Sequence, residues 1–268
     1  MFKVELKRVI KNPFTYAALF AGIVICLVEI IIDVIPELKF LKGRAIMEYP
    51  DTVFDKGMLF GISKFQRIYY IIIPLLAVIP GGANFYSDLK SGYIRQIVTR
   101  KNRIRYYGAS YAVNFLTAGF VAVIPLIINF MICMALLPST LPQPGVSRIG
   151  MDSENMFGEL YYSMPYLYVF IYLAIIFVIS GLIVSFAVSI AWVAFSKYLV
   201  LFIPFIIYYI LHFILQYIGH MEWSPLTMIY ANQGIVPIQF WKVCVMIIAL
   251  LSASIITFIV GGKKNEVL

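Results

Sequence analysis

FTYAALFAGIVICLVEIIIDVI, residues 14–35, decides what kind of protein this is. It carries no charged residue from Phe14 to Val28. As a helix rising about 1.5 Å per residue, it spans the roughly 30 Å of hydrocarbon in a bilayer. Five further apolar runs of similar length follow: Phe65 to Ala83, Tyr107 to Leu137, Pro165 to Phe195, Leu199 to Ile218 and Trp241 to Gly261. The third and fourth of the six are long enough to tilt, kink or run past the bilayer. With 62% hydrophobic side chains and a mean hydropathy of +0.91, the chain lies well above the roughly 45–50% apolar content of soluble domains. The expected fold is one all-α integral membrane domain over residues 1–268, with six transmembrane helices.

Lys3, Lys7, Arg8 and Lys11 precede the first run, as in a signal peptide. The run is longer than the 7–15 residues usual for a signal core, and no small-x-small cleavage site follows, so a retained span is expected. Cys26, Cys133 and Cys244 each fall inside an expected span, without a paired spacing or a ligand cluster, and read as packing residues.

Charge sets the expected orientation. Placing both termini in the cytoplasm puts thirteen Lys and Arg inside and eight outside, with only Glu5, Asp88 and Glu266 of the acids inside. Residues 84–106 are then a cytoplasmic loop, whereas 138–164 and 219–240 are external. Tyr106 and Tyr107, and Tyr161, Tyr162, Trp223 and Trp241, fall at helix ends where an interfacial aromatic belt is expected. The location implied is the cytoplasmic membrane of the cell.

Two cytoplasmic pieces are amphipathic. In residues 1–13, Phe2, Leu6, Val9 and Ile10 recur at helical spacing, while Lys3, Lys7 and Lys11 form a second row. That pattern suits an interfacial helix lying on anionic membrane lipid, with Pro13 marking the turn into the first span. An ordinary positive flank without a fixed helix is the alternative. The second piece is NFYSDLKSGYIRQIVTRKNRIRYYG, residues 84–108, where Leu89, Tyr93, Ile94, Ile97 and Val98 share a helical face. Ser87 or Asp88 can cap its start. Gly92, which costs about 1 kcal/mol against Ala inside a helix, implies a close approach by a neighbour.

The run from Asp88 to Val98, with Arg103 beyond it, resembles the loop between the second and third helices of type 2 permeases of ATP-binding cassette exporters. Asp88, Ser91, Gly92, Ile94, Ile97, Val98 and Arg103 match the family pattern, while Tyr93 replaces its usual threonine and Arg100 stands where proline is common. The resemblance implies a coupling helix, with Leu89 and Tyr93 on its ridge, docking into a groove of a separate ATPase subunit. It also implies a second permease copy or a homologous partner permease, and short re-entrant helices near residues 219–234 that close the external side. The cargo implied is hydrophobic or amphipathic: a peptide antibiotic, a drug or a lipid. No phosphate-binding G-x-x-x-x-G-K-[ST] motif occurs, so ATP and Mg would sit on the partner, and this chain would bind no cofactor and no nucleic acid. A solvated loop whose helix rests on lipid is the alternative.

An intramembrane enzyme fits poorly. His212 and His220 are the only histidines, which excludes an H-E-x-x-H metal site, and Ser180-Gly181 lacks the preceding glycine of a G-x-S-G motif. A secondary transporter is the stronger rival, since Pro74, Pro80, Pro125 and Pro204 break apolar runs in the manner of transporter helices. Glu29 and Asp33 share a face of the first helix, and Lys64 and Arg67 begin the second at the same level, so these four are expected at the external mouth of a pathway or in a structural ion-pair cluster. Asn114 and Asn129 on the third helix, and His212 and Gln216 on the fifth, are expected to hydrogen-bond between helices or to touch substrate.

Overall fold

The computed structural model describes residues 1–36, 38, 51–94, 96, 103–145, 147, 149–151, 154–234 and 236–264. The expectations for Ile97 and Val98 lie outside them, as do those for Arg95 and Arg100. Every regular element among the described residues is helical. In chain order they are α1 (Phe2–Ile10), α2 (Pro13–Glu29) with a π turn at Ile30–Val34, α3 (Gly57–Phe60), α4 (Lys64–Val78) and α5 (Gly82–Lys90). Then come α6 (Arg103–Leu136), α7 (Gly158–Ser163), α8 (Pro165–Ile190), α9 (Lys197–Ile218), a 3₁₀ turn at Met221–Trp223, α10 (Pro225–Met228) and α11 (Phe240–Lys264). Pro13–Val34, Arg105–Leu136, Pro165–Ile190, Lys197–Ile218 and Phe240–Val260 are each long and apolar enough to cross a membrane. The chain is a membrane-embedded helical bundle. Its basal end carries α1 and α5; its distal end carries α3, α7 and α10.

The second expected span departs from a single crossing helix. α4 has 15 residues and α5 has 9, and the chain turns between them at Ile79, Pro80 and Gly81. Pro80 has no amide to donate, and the two glycines after it weaken any continuation. The carbonyl of Pro80, freed from the helix, is met by Asn12 Nδ2 at 3.1 Å and Asn84 Nδ2 at 2.9 Å. Side-chain amides thus satisfy the backbone at the break.

Helix packing uses small residues rather than an oily seam. An added Cβ at Gly119 of α6 would lie 2.5 Å from Phe177, and one at Gly181 of α8 would lie 2.5 Å from Phe115. Each helix seats the other's phenylalanine on a glycine, and the two rings meet edge to face at 5.9 Å. Such close approach is how membrane helices gain dispersion contacts where lipid is as apolar as leucine. Large apolar side chains fill the core, Phe54, Phe60 and Phe85 among them, and others point outward, including Phe20, Phe213 and Ile248. The bundle's exterior is greasy because its solvent is hydrocarbon.

At the distal end the segment from Ser224 to Gln233 is buried throughout. Gln233 Nε2 donates to Met156 O and to Tyr168 Oη, while its Oε1 accepts from Met156 N. Tyr168 Oη donates to Ala231 O at 2.6 Å, and Asn232 Nδ2 donates to Phe60 O. These bonds knit α3, the 154–163 region, α8 and residues 224–233 into one cover.

Candidate functional site

Beneath one side of that cover lies a cavity of about 640 Å³, within the size range of small-molecule sites. Glu29 and Asp33 reach it from α2, Asp55, Lys56 and Gly57 from the start of α3, and Lys64 from α4, with Ile149 closing one wall. The Glu29 residue is 1% exposed and accepts a hydrogen bond from Asn129 Nδ2 at 2.8 Å. Asn129 also donates to Cys26 O and accepts from Met58 N at 2.8 Å. One asparagine on α6 therefore holds both the carboxylate of α2 and the first turn of α3. Gly57 sits at φ +82, where a side chain would strain the backbone and crowd Asn129 and Cys133.

Local sequence explains the position of the acids. The π turn brings Ile35 N to Ile30 O, five residues back, which adds a residue to the turn just past Glu29. Such single-turn bulges re-aim side chains within a continuing helix. Asp55 is held by Thr52 Oγ1 at 2.7 Å and by Thr52 N at 3.1 Å. Lys56 pairs with Asp51 at 3.3 Å. Among the described residues Asp33 and Lys64 form no ion pair; Asp33 is half-buried and Lys64 exposed at the rim.

The structure brings Glu29, Asp33, Lys64 and Asn129 to one place, but not the other pathway candidates. Arg67 is exposed on α4 and outside the cavity lining. Burial raises the Tyr230 phenol above its usual value, and the charge of Arg67 partly opposes that shift. His212 Nδ1 meets Ser224 Oγ at 2.9 Å, which ties α9 to the segment leading into α10. Gln216 is exposed on α9. Asn114 is buried at the basal end, with its Oδ1 against Gly81. Asp55, Lys56 and the Met58 amide were missed by sequence reasoning, because no periodicity marks residues 51–61.

The basal end holds a second constellation. Arg8 of α1 forms a two-pronged pair with Asp88 of α5, Nη1 to Oδ2 and Nη2 to Oδ1, both at 2.5 Å. Its guanidinium also lies 5.3 Å from the centre of the Tyr93 ring. The hydrogen-bonded pair with Asp88 raises the Arg8 pKa further above its usual value. Glu5, one turn earlier, is buried with Val9 on the inward face, so desolvation raises its carboxyl pKa while the charge of Arg8 opposes that rise. Phe2 and Ile10 are exposed.

This arrangement differs from the expected loop helix. Asp88 lies near the end of α5 rather than capping a new helix, and Ser91 N donates back to Ser87 O at 2.9 Å. Gly92 follows at φ +74, and an added Cβ there would meet nothing within 4 Å. The glycine serves the left-handed turn that ends α5, and no group among the described residues approaches it. Beyond it Tyr93 is 37% exposed and Ile94 only 2%, so the expected ridge is split between surface and core. Leu89 packs partly buried against the core, Ser91 Oγ donates to Asp88 O, and Arg103 opens α6.

The chain matches no family model, no curated protein and no solved structure among known proteins.

Proposed function

We propose that the chain is the permease subunit of an ATP-driven exporter of the ATP-binding cassette type. In this reading the basal end is cytoplasmic, and α4 with α5 forms a broken sixth crossing. A separate ATPase docks on the segment from α5 to Ile94, and a second permease, identical or homologous, completes the pathway. α1 rests on anionic lipid through Lys3, Lys7 and Lys11. The cargo is hydrophobic or amphipathic.

The supporting observation is the Arg8–Asp88 clasp. It joins the interfacial helix to the segment that resembles a coupling loop, so a force applied to the loop is passed to α1, to Pro13 and to the first span. A loop serving only orientation needs no such clasp. Co-purification tests the proposal: a separate ATPase should be recovered with the full chain, and Tyr93→Glu should lower that recovery at least tenfold while membrane insertion stays unchanged. Purified chain that carries substrate down an ion gradient without ATP would overturn it.

One feature favours an ATP-independent carrier as a second reading. Glu29 is an ionisable group buried in a span, beside a cavity, and such groups mark ion paths in gradient-driven carriers. Glu29→Gln would abolish gradient-driven uptake under that reading and leave ATP-driven export intact under the first.

A further inference from the structure

α6 and α11 both pack on α8 and meet each other where Tyr107 and Tyr111 touch Phe258; beside that contact the three helices leave a lateral cleft of about 350 Å³. One wall is Gly108, Ala112 and Phe115 of α6, and the other is Leu251 and Ile255 of α11. Gly108 and Ala112 are exposed, and a Cβ at Gly108 would meet nothing within 4 Å. The floor contains hydroxyls that are already satisfied. Tyr111 Oη contacts Ser189 Oγ, Ser189 Oγ donates to Ser254 O at 2.8 Å, and Ser254 Oγ donates to Tyr111 Oη at 3.4 Å. The cleft therefore offers hydrocarbon contact and no open polar group.

Arg105 stands one turn beyond Gly108 on the same stripe, since positions 105, 108, 112 and 115 follow helical spacing. It is exposed and forms no ion pair among the described residues. From Arg105 to Phe115 is ten residues, or about 15 Å of helix, which equals half of the roughly 30 Å hydrocarbon core. The apolar cleft follows about 10 Å of α6 from Gly108 to Phe115, and with a cation one turn further out it matches a single class of molecule. We propose that this cleft binds one anionic phospholipid, with its phosphate on Arg105 and an acyl chain between α6 and α11. The site is independent of the transport reading, which assigns lipid only to α1.

Native mass spectrometry of the full chain, released from detergent with added phosphatidylglycerol or phosphatidylcholine, tests the proposal. The expected spectrum of the natural chain has one retained phosphatidylglycerol, preferred at least fivefold over phosphatidylcholine. A Gly108→Leu/Ala112→Leu chain should lose that adduct. Arg105→Gln, a surface change that leaves packing alone, should reduce the preference to near unity. A graded ladder of adducts with no favoured count would overturn the proposal, as would an unchanged preference in Arg105→Gln. Cleft filling that alters the number of chains in the particle instead of the lipid count would show that another protein chain fills the cleft, and would also overturn it.

Discussion

Arg8→Gln deletes both prongs of the basal clasp and strands the Asp88 carboxylate, whose side chain is 8% exposed. Breaking a fully buried ion pair on one side costs about 3–5 kcal/mol, whereas an exposed pair contributes about 0.2–1 kcal/mol. Arg8 keeps 39% of its side chain in contact with solvent, so water and headgroups screen the pair. The expected cost of undocking α1 then lies near 2 kcal/mol, between those limits. At 1.4 kcal/mol per decade that is about a thirtyfold rise in the open population. Asp88→Asn should cost about half as much, since the guanidinium left behind can turn toward water. Hydrogen exchange of the α1 amides in lipid nanodiscs reads this population directly. Protection should fall about thirtyfold in Arg8→Gln and severalfold in Asp88→Asn. The double variant should lose less than the sum, because the residues share one interaction. A change below twofold in both single variants, or strict additivity in the double, would refute the clasp as the element that holds α1.

Glu5→Gln should make α1 docking tighter at neutral pH. Burial raises the Glu5 pKa above its ordinary 4.5, so the folded chain prefers the protonated acid, and docking by the natural chain weakens as pH rises through the shifted value. The advantage of the Gln variant should vanish below about pH 4.5 in the same exchange measurement. Asn129→Leu should lower stability by about 1–3 kcal/mol for each of the two groups it strands, the buried Glu29 carboxyl and the Met58 amide. Glu29→Leu/Asn129→Leu should recover part of that loss in unfolding monitored in detergent, because no buried charge remains. Gly119→Leu should cost about 1–3 kcal/mol or more through overpacking against Phe177, and adding Phe177→Ala should restore part of it in the same assay.

The long spans were legible because hydrocarbon imposes one simple demand, an unbroken apolar run of sufficient length. The break between α4 and α5 was not, because hydropathy weighs side chains and takes no account of Pro80's missing amide. Its two partners, Asn12 and Asn84, lie 68 and 4 residues away, and only the nearer one is readable as local chemistry. At the distal cavity, Glu29, Asp33 and Lys64 were placed together because antiparallel neighbours bring matching ends side by side. Asn129 was readable as a polar residue needing a partner. Its bond to the Met58 amide, 71 residues away, was not, since residues 51–61 carry no period by which to orient them.

Arg8 shows how charge counting can hide structure. All four basic residues of positions 1–13 contribute equally to an orientation rule that sums positive charge on one side. Yet Lys3, Lys7 and Lys11 form one row at four-residue spacing, and the single arginine falls off it. Lysine would satisfy topology and lipid attraction at that position just as well. A rigid planar fork matters only where a carboxylate is held in two-pronged geometry or an aromatic ring is stacked, and Arg8 meets both, in Asp88 and Tyr93. Choice of cation, rather than its count, was the local signal that α1 is fastened to α5. Arg8→Lys, which preserves the charge sum and loses the fork, separates the two roles: orientation should be unchanged while α1 protection falls.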